Sequence, residues 1–259
     1  MAARSWFPES LPGRLVVLRR HTTGNLAAFR RWYADPEVAH LTRYHDGPMA
    51  TGDIEHFFES RVSGTGSFAM AIHLRETDRL IGSCAFSQLD GDNGTALFHI
   101  TIGEKDCWGR GCGTEATRLM LGHAFGTLGL HRVALAVFAF NERAIRSYRR
   151  IGFVEEGRSR EAIWRDGSFW DEIQMSILEQ EWRALRAREA APGAQPPRVH
   201  PLEAHPPVAR PPVAHPPGAG IATTALYAPA PAGVERVAGP VGKAGPARHA
   251  TREREAAAR

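Results

Sequence analysis

Trp108-Gly109-Arg110-Gly111-Cys112-Gly113-Thr114-Glu115-Ala116 stands between a β-like stretch, Leu97 to Gly103, and an apolar helical stretch from Ala116 to Phe125. Glycines at alternate positions let a backbone turn through positive φ and approach an anion closely. The N–H groups and dipole of a helix start favour negative charge. The junction therefore reads as a phosphate-binding turn. A second segment, Asn141-Glu-Arg-Ala-Ile-Arg-Ser-Tyr-Arg-Arg-Ile-Gly-Phe153, begins 28 residues after Gly113. In it Ala144, Ile145, Tyr148 and Ile151 recur at helical spacing, Asn141 stands where an N-cap belongs, and Gly152 supplies a stop.

Outward from these two segments the chain alternates between strand and helix patterns. Arg14 to Arg19 reads as a first strand, and Asn25 to Tyr33 as an amphipathic helix ending near Asp35-Pro36. Gly52 to Arg61 reads as a second helix. Phe68 to Leu74 and Leu80 to Gln88 flank Arg75–Asp78 as a hairpin, and Leu97 to Gly103 follows the turn at 90–94. Thr114 to Leu128 is the helix behind the glycine turn, and Arg132 to Phe138 is apolar enough to be a strand buried on both faces. A strand begins at Phe153-Val154, and Glu161 to Asp166 and Phe169 to Leu178 read as the last two. This order predicts an α/β sandwich around one mixed sheet.

Composition divides the chain near Arg186. Of 18 prolines, 14 lie from Pro192 onward, and residues 187–259 hold a single aromatic, Tyr227. Such a Pro/Ala-rich segment has too little apolar mass for a core and is expected to be disordered or polyproline II. Pro-Pro recurs in it at Pro206, Pro211 and Pro216, beside His205, Arg210 and His215. The tail carries nine Lys/Arg against five Asp/Glu, which equals the whole-chain net charge of +4, so residues 1–186 balance at 23 against 23. The basic pI thus points to no specific nucleic-acid partner. Cys84, Cys107 and Cys112 lack metal-site spacing, and no signal-like or membrane-spanning apolar run occurs. No metal, no membrane and a cytoplasmic location are the expectations.

Over Arg14 to Trp182 the two segments, in this order, resemble the GNAT N-acetyltransferases, specifically the bacterial branch of ribosomal-protein and polyamine acetyltransferases. Arg110, Gly111 and Gly113 fit the family's glycine loop. Trp108 stands at its first position, where many members carry glutamine or arginine. The resemblance implies the GNAT fold, a mixed and mostly antiparallel central sheet flanked by helices, over residues 12–184, with residues 187–259 as a disordered C-terminal tail. It implies acetyl-CoA as cosubstrate, held by Trp108, Gly109, Arg110, Gly111, Cys112, Gly113 and Thr114 at the pyrophosphate. Ile100 and Ile102 would hold the pantetheine arm through backbone groups, with the Ile102 N–H as oxyanion contact, and Asn141 and Ala144 would also contact the arm.

Acetyl transfer to an amine needs a neutral amine, a held thioester, a stabilised oxyanion and a proton for the departing thiolate. By the resemblance Tyr148 is the proton donor, its alternative being a core tyrosine. Relatives often have a glutamate two places before His99, where this chain has Leu97. His99 is then the candidate base, acting directly or through water, with a structural histidine as the alternative and Glu104 nearby. Trp32, Tyr44 and Trp164 are expected to line the acceptor pocket, together with His45, Phe169 and Trp170. The expected partner is an amine acceptor, either a small molecule or a protein N-terminus, and the expected assembly a monomer or homodimer. Two other functions remain open: a degenerate coenzyme A sensor and a scaffold acting through its tail.

Overall fold

The computed structural model describes residues 7–44, 47–63 and 68–190. All of them belong to the unit Met1–Leu226. The expectations for His45, and for the tail beyond Ala190, lie outside the described residues.

Among the described residues eight strands form one sheet in the order β1-β2-β3-β4-β5-β6-β8-β7. They are β1 (Ser10–Pro12), β2 (Val16–Arg20), β3 (Phe68–Leu74), β4 (Leu80–Asp90), β5 (Thr95–Ile102), β6 (Arg132–Phe138), β7 (Val154–Arg165) and β8 (Ser168–Leu178). Every neighbouring pair is antiparallel except β5 and β6. The helices are α1 (Leu26–Ala34), α2 (Pro36–Thr42), α3 (Thr51–Ser63), α4 (Cys112–Gly126), α5 (Glu142–Ile151) and α6 (Glu179–Ala190). The predicted fold is the observed one.

Two apolar clusters divide the helices between the faces of the sheet. Met120, Leu121 and Ala124 of α4, Ile145 and Ile151 of α5, and Trp182 of α6 pack with Leu18, Met70, Val133, Leu135, Met175 and Ile177 of the strands. A second cluster gathers Phe29, Trp32 and Tyr33 of α1, Val38 of α2, and Ile54 and Phe58 of α3. In β3 the first five residues are all buried, as a central strand covered on both faces requires.

Four elements differ from the sequence expectation, each for a local reason. Asp35-Pro36 does not merely end α1: the Asp35 side chain accepts from the Glu37 and Val38 N–H groups and Pro36 opens the first turn, so the pair starts α2. The strand before Gly167 runs unbroken from Val154, with register shifts at Glu155/Gly157 and Ser159/Ile163. Those bulges and its exposed side chains erase the period-two pattern. A short β1 precedes the expected first strand. Finally α6 carries ordered helix past Arg186, through the compositional boundary, to Ala190.

Candidate active site

The sheet opens at the parallel junction of β5 and β6. β5 and β6 are paired only over Thr95–Leu97 and Arg132–Ala134, while β5 stays with β4 up to Ile102 and β6 stays with β8 up to Phe138. Beyond Leu97 and Ala134 the two strands part, leaving backbone groups on both inner edges without a sheet partner. The Gly103 N–H donates to the Ile81 carbonyl on the β4 side. Alternation along a strand then turns the N–H and C=O groups of Ile102 and Ile100 toward the gap. The Ile102 carbonyl is taken by the Trp108 indole N–H at 2.7 Å, whereas its N–H remains directed into the gap. A planar amide chain can add along such an edge as an extra strand.

The glycine turn sits at the far end of β5. Gly109 and Gly111 have φ of +73° and +85°, conformations that disfavour any side chain. Gly111 is the N-cap of α4, and no side chain caps that helix. The first N–H groups of α4 are therefore available to an incoming acceptor atom. Gly113 stands where a Cβ would lie 3.5 Å from Ile102 Cγ1, so the helix start rests on the end of the opened strand. Cys112 is buried and desolvation pushes its thiol up, which leaves only its backbone for an anion. The Thr114 hydroxyl is hydrogen-bonded to that of Ser147 at 2.8 Å, joining α4 to α5. Arg110 is exposed on the turn.

Sequence reasoning missed two residues that fix this turn. The Glu115 carboxylate, in the first turn of α4, accepts from the N–H groups of Arg14, Leu15 and Val16 at 3.0, 2.6 and 2.8 Å. Gly13 must be glycine because a Cβ there would meet that carboxylate at 2.8 Å. Arg143 lies 4.0 Å over the Trp108 ring and holds it against the strand. Neither contact has a local signal, since the partners lie about a hundred residues apart in one case and are joined through a ring face in the other.

Asn141 accepts from the Ala144 N–H at 3.2 Å and so caps α5, which leaves its amide NH₂ for another acceptor. Tyr148, two turns along, packs edge-on to Phe153 at 5.6 Å, and burial pushes its phenol up from the ordinary value. Its hydroxyl makes no hydrogen bond among the described residues. α5 approaches the gap from the α4 face of the sheet, where Ile100 and Ile102 also point.

The opposite face is polar. Residues directly paired across strands share a face, so Ser87, His99, Thr101, Ala134, Ala136, Phe138, Glu172 and Gln174 lie together. Ala136 is exposed and forms the floor of this side. His99 Nε2 lies 2.7 Å from the Ser87 hydroxyl. Desolvation, and secondarily the positive charge of Arg61, lowers the ring to about 4, so it is neutral near pH 7.

The expected acceptor-lining residues separate. Trp32 is 1% exposed; its ring fills the space beside Gly103 and its indole N–H donates to Glu104 at 2.8 Å. It buttresses the wall from behind and offers no face to a ligand. Trp164 is 52% exposed at the β7–β8 hairpin, packed on Phe169 with ring centroids 4.6 Å apart. Trp170 instead packs on Phe140 and donates to the Arg165 carbonyl. Tyr44 lies over the polar face, its ring 5.3 Å from Phe138 and its hydroxyl donating to Glu172.

A strand edge opened beside an uncapped helix start, with a phenol on one face and a polar floor on the other, is an arrangement that can hold an extended amide chain ending in an anion. The family profile described as "Acetyltransferase (GNAT) domain" matches residues 15–154. The chain belongs to this family. It is 27% identical over 177 residues, 67% of its length and 98% of the other protein, to an uncharacterized N-acetyltransferase p20 of Bacillus licheniformis. It is 35% identical over 103 residues, 40% of its length and 56% of the other protein, to the putative ribosomal N-acetyltransferase YdaF of Bacillus subtilis. In fold it is similar to the spermidine N-acetyltransferase of Vibrio cholerae, solved in complex with CoA and spermine. That likeness has a TM-score of 0.59 at 21% identity and covers 65% of this chain and 98% of that one.

The protein is an acyltransferase that uses acetyl-CoA to acetylate amines. Among the described residues no three His, Cys, Asp or Glu side chains gather as a metal site, and no helix is long and apolar enough to cross a membrane.

Proposed function

We infer that the acceptor is a primary amine that enters from the polar face and attacks acetyl-CoA directly in a ternary complex. The observation that carries this is the parting of β5 from β6 beyond Leu97 and Ala134, which leaves a free strand edge for the thioester arm and two faces from which donor and acceptor can approach. Bound acetyl-CoA supplies an activated acyl group with a thiolate leaving group. The α4 start and the glycine turn, Trp108 to Thr114, bind the diphosphate. Ile100, Ile102 and Asn141 orient the amide arm, and the Ile102 N–H stands at the carbonyl oxygen. Tyr148, kept protonated by burial, gives its proton to the departing sulfur. The neutral His99 ring, fixed by Ser87, is too weak a base to keep the proton of an alkylammonium, so it orients a water that carries that proton out to solvent. A reducing, cytoplasmic setting belongs to this proposal, supported by three buried free cysteines.

Initial-rate kinetics test the order of events. With thiol release as the readout and both substrates varied, intersecting double-reciprocal lines are expected, with no release in the absence of amine. Parallel lines together with a burst of thiol from enzyme and acetyl-CoA alone would replace direct attack by an acetylated enzyme.

A further inference from the structure

Glu172 is 9% exposed, yet among the described residues no Lys, Arg or His reaches it. Its partner is a neutral one, the Tyr44 hydroxyl. Three neighbouring carboxylates are paired, Glu156 with Arg132, Glu155 with Arg149 and Arg158, and Asp171 with Arg158, while Glu161 of β7 is exposed to solvent. A buried carboxylate without a cation is costly to leave as it stands.

The surroundings of Glu172 suit a positively charged group. Tyr44 packs edge-on to Phe138, Phe138 lies 5.3 Å from Phe140, and Phe140 lies 5.6 Å from Trp170. Trp170 is two residues before Glu172 on the same side of β8, so aromatic rings line the carboxylate along one flank. Ring faces and a carboxylate together hold an ammonium group better than either does alone.

Position supplies the substrate class. Leu97 pairs with Ala134, so Thr101 and Phe138, each four residues further on, stand level, and Glu172 is paired with Phe138. Glu172 is thus level with the end of β5 and two strands away, roughly 10 Å across the sheet at ordinary strand spacing and further where β5 and β6 part. We propose that Glu172, roofed by Tyr44 and flanked by Phe138 and Trp170, is a subsite for a second ammonium group of the acceptor. The enzyme, on the transferase assignment above, then prefers amines carrying a second positive charge over monoamines of the same length.

The test compares α,ω-diaminooctane with octylamine, which share a chain length and differ in the second ammonium. For the wild-type full chain, kcat/KM for the diamine should exceed that for the monoamine by about tenfold or more. Glu172→Gln should abolish that ratio, mainly through KM for the diamine, and Tyr44→Phe should reduce it, while calorimetry shows acetyl-CoA affinity unchanged in both. A wild-type ratio near one, or a ratio retained in Glu172→Gln, overturns the subsite and leaves the transferase assignment standing. If acetyl-CoA binds nowhere and no amine releases thiol, the transferase assignment itself falls, and the subsite with it.

Discussion

At the scale of single residues the two candidate proton-transfer groups, Tyr148 and His99, are both shifted by burial, toward their neutral forms. A phenol pushed up stays protonated across the working range until it meets the thiolate, and the phenolate left by that transfer takes a proton back from water before the next turnover. Tyr148→Phe is therefore expected to lower kcat by roughly a hundredfold while leaving the Kd of acetyl-CoA unchanged, since among the described residues the hydroxyl has no hydrogen-bond partner whose loss would loosen α5. Steady-state kinetics with calorimetry checks the split; a fall in affinity matching the fall in kcat would make Tyr148 a packing residue. His99 and His21 are both lowered to about 4, first by desolvation and next by Arg61. An unfolded imidazole takes a proton near pH 6.5. Between pH 6.5 and about 4 the unfolded state binds more protons, so stability is fully present above 6.5 and is lost as pH falls toward 4. Each ring contributes on the order of 3 kcal/mol to that loss. Denaturant midpoints measured from pH 7 to pH 4.5 should fall in the wild type and fall about half as steeply in His99→Gln.

At the scale of elements the glycine turn depends on backbone shape. Gly111 adopts φ +85° as the α4 cap. A side chain there is strained by about 1–3 kcal/mol and also projects toward Leu15, 3.5 Å from the Cβ position. Gly111→Trp is expected to weaken acetyl-CoA binding at least about a hundredfold, because a large ring displaces the diphosphate from the N–H groups of α4, with a much smaller loss of folding stability. Wild-type affinity in that variant would remove the turn from the cofactor site. This element was legible in the sequence because its requirements are local: alternate glycines, a strand before and a helix after. The same holds for the bounds of β3 and β6, although β6 leaves Ala136 exposed on the polar face where its apolar run predicts burial on both. The polar groove is legible only in part: Tyr44 and His99 stand out as single candidates, but their grouping with Ser87 and Glu172 does not. Its residues come from strands paired across the sheet, and Glu172 and Tyr44, 128 residues apart, carry no shared signal. Trp32 was misplaced for a related reason: a tryptophan on an amphipathic helix suits a pocket wall and a core equally, and only the Cβ-free space at Gly103 decides between them.

At the scale of the whole chain the question is where the folded unit ends. The proline and charge pattern set the boundary near Arg186, but α6 is joined to the unit on both sides of that point. Trp182 packs 6.4 Å from Phe125 of α4. Leu185 occupies the space where a Cβ of Gly152 would stand, so the stop of α5 and the last helix are fitted to one another. Beyond Arg186, Glu189 pairs with Arg118 of α4 at 2.6 Å. That surface pair adds at most about 1 kcal/mol, whereas re-exposing Trp182 and Leu185 costs about 1.5–3 kcal/mol each. A chain ended after Ala190 should therefore keep the wild-type denaturation midpoint, acetyl-CoA affinity and turnover. A chain ended after Leu178 should lose about 3–6 kcal/mol, a large share of the 5–15 kcal/mol typical of a domain. It should unfold at much lower denaturant concentration. Equal midpoints for the two truncations would show α6 to be a passive appendage. Lost turnover in the chain ended after Ala190, with its midpoint intact, would show instead that residues 191–259 serve the active site directly.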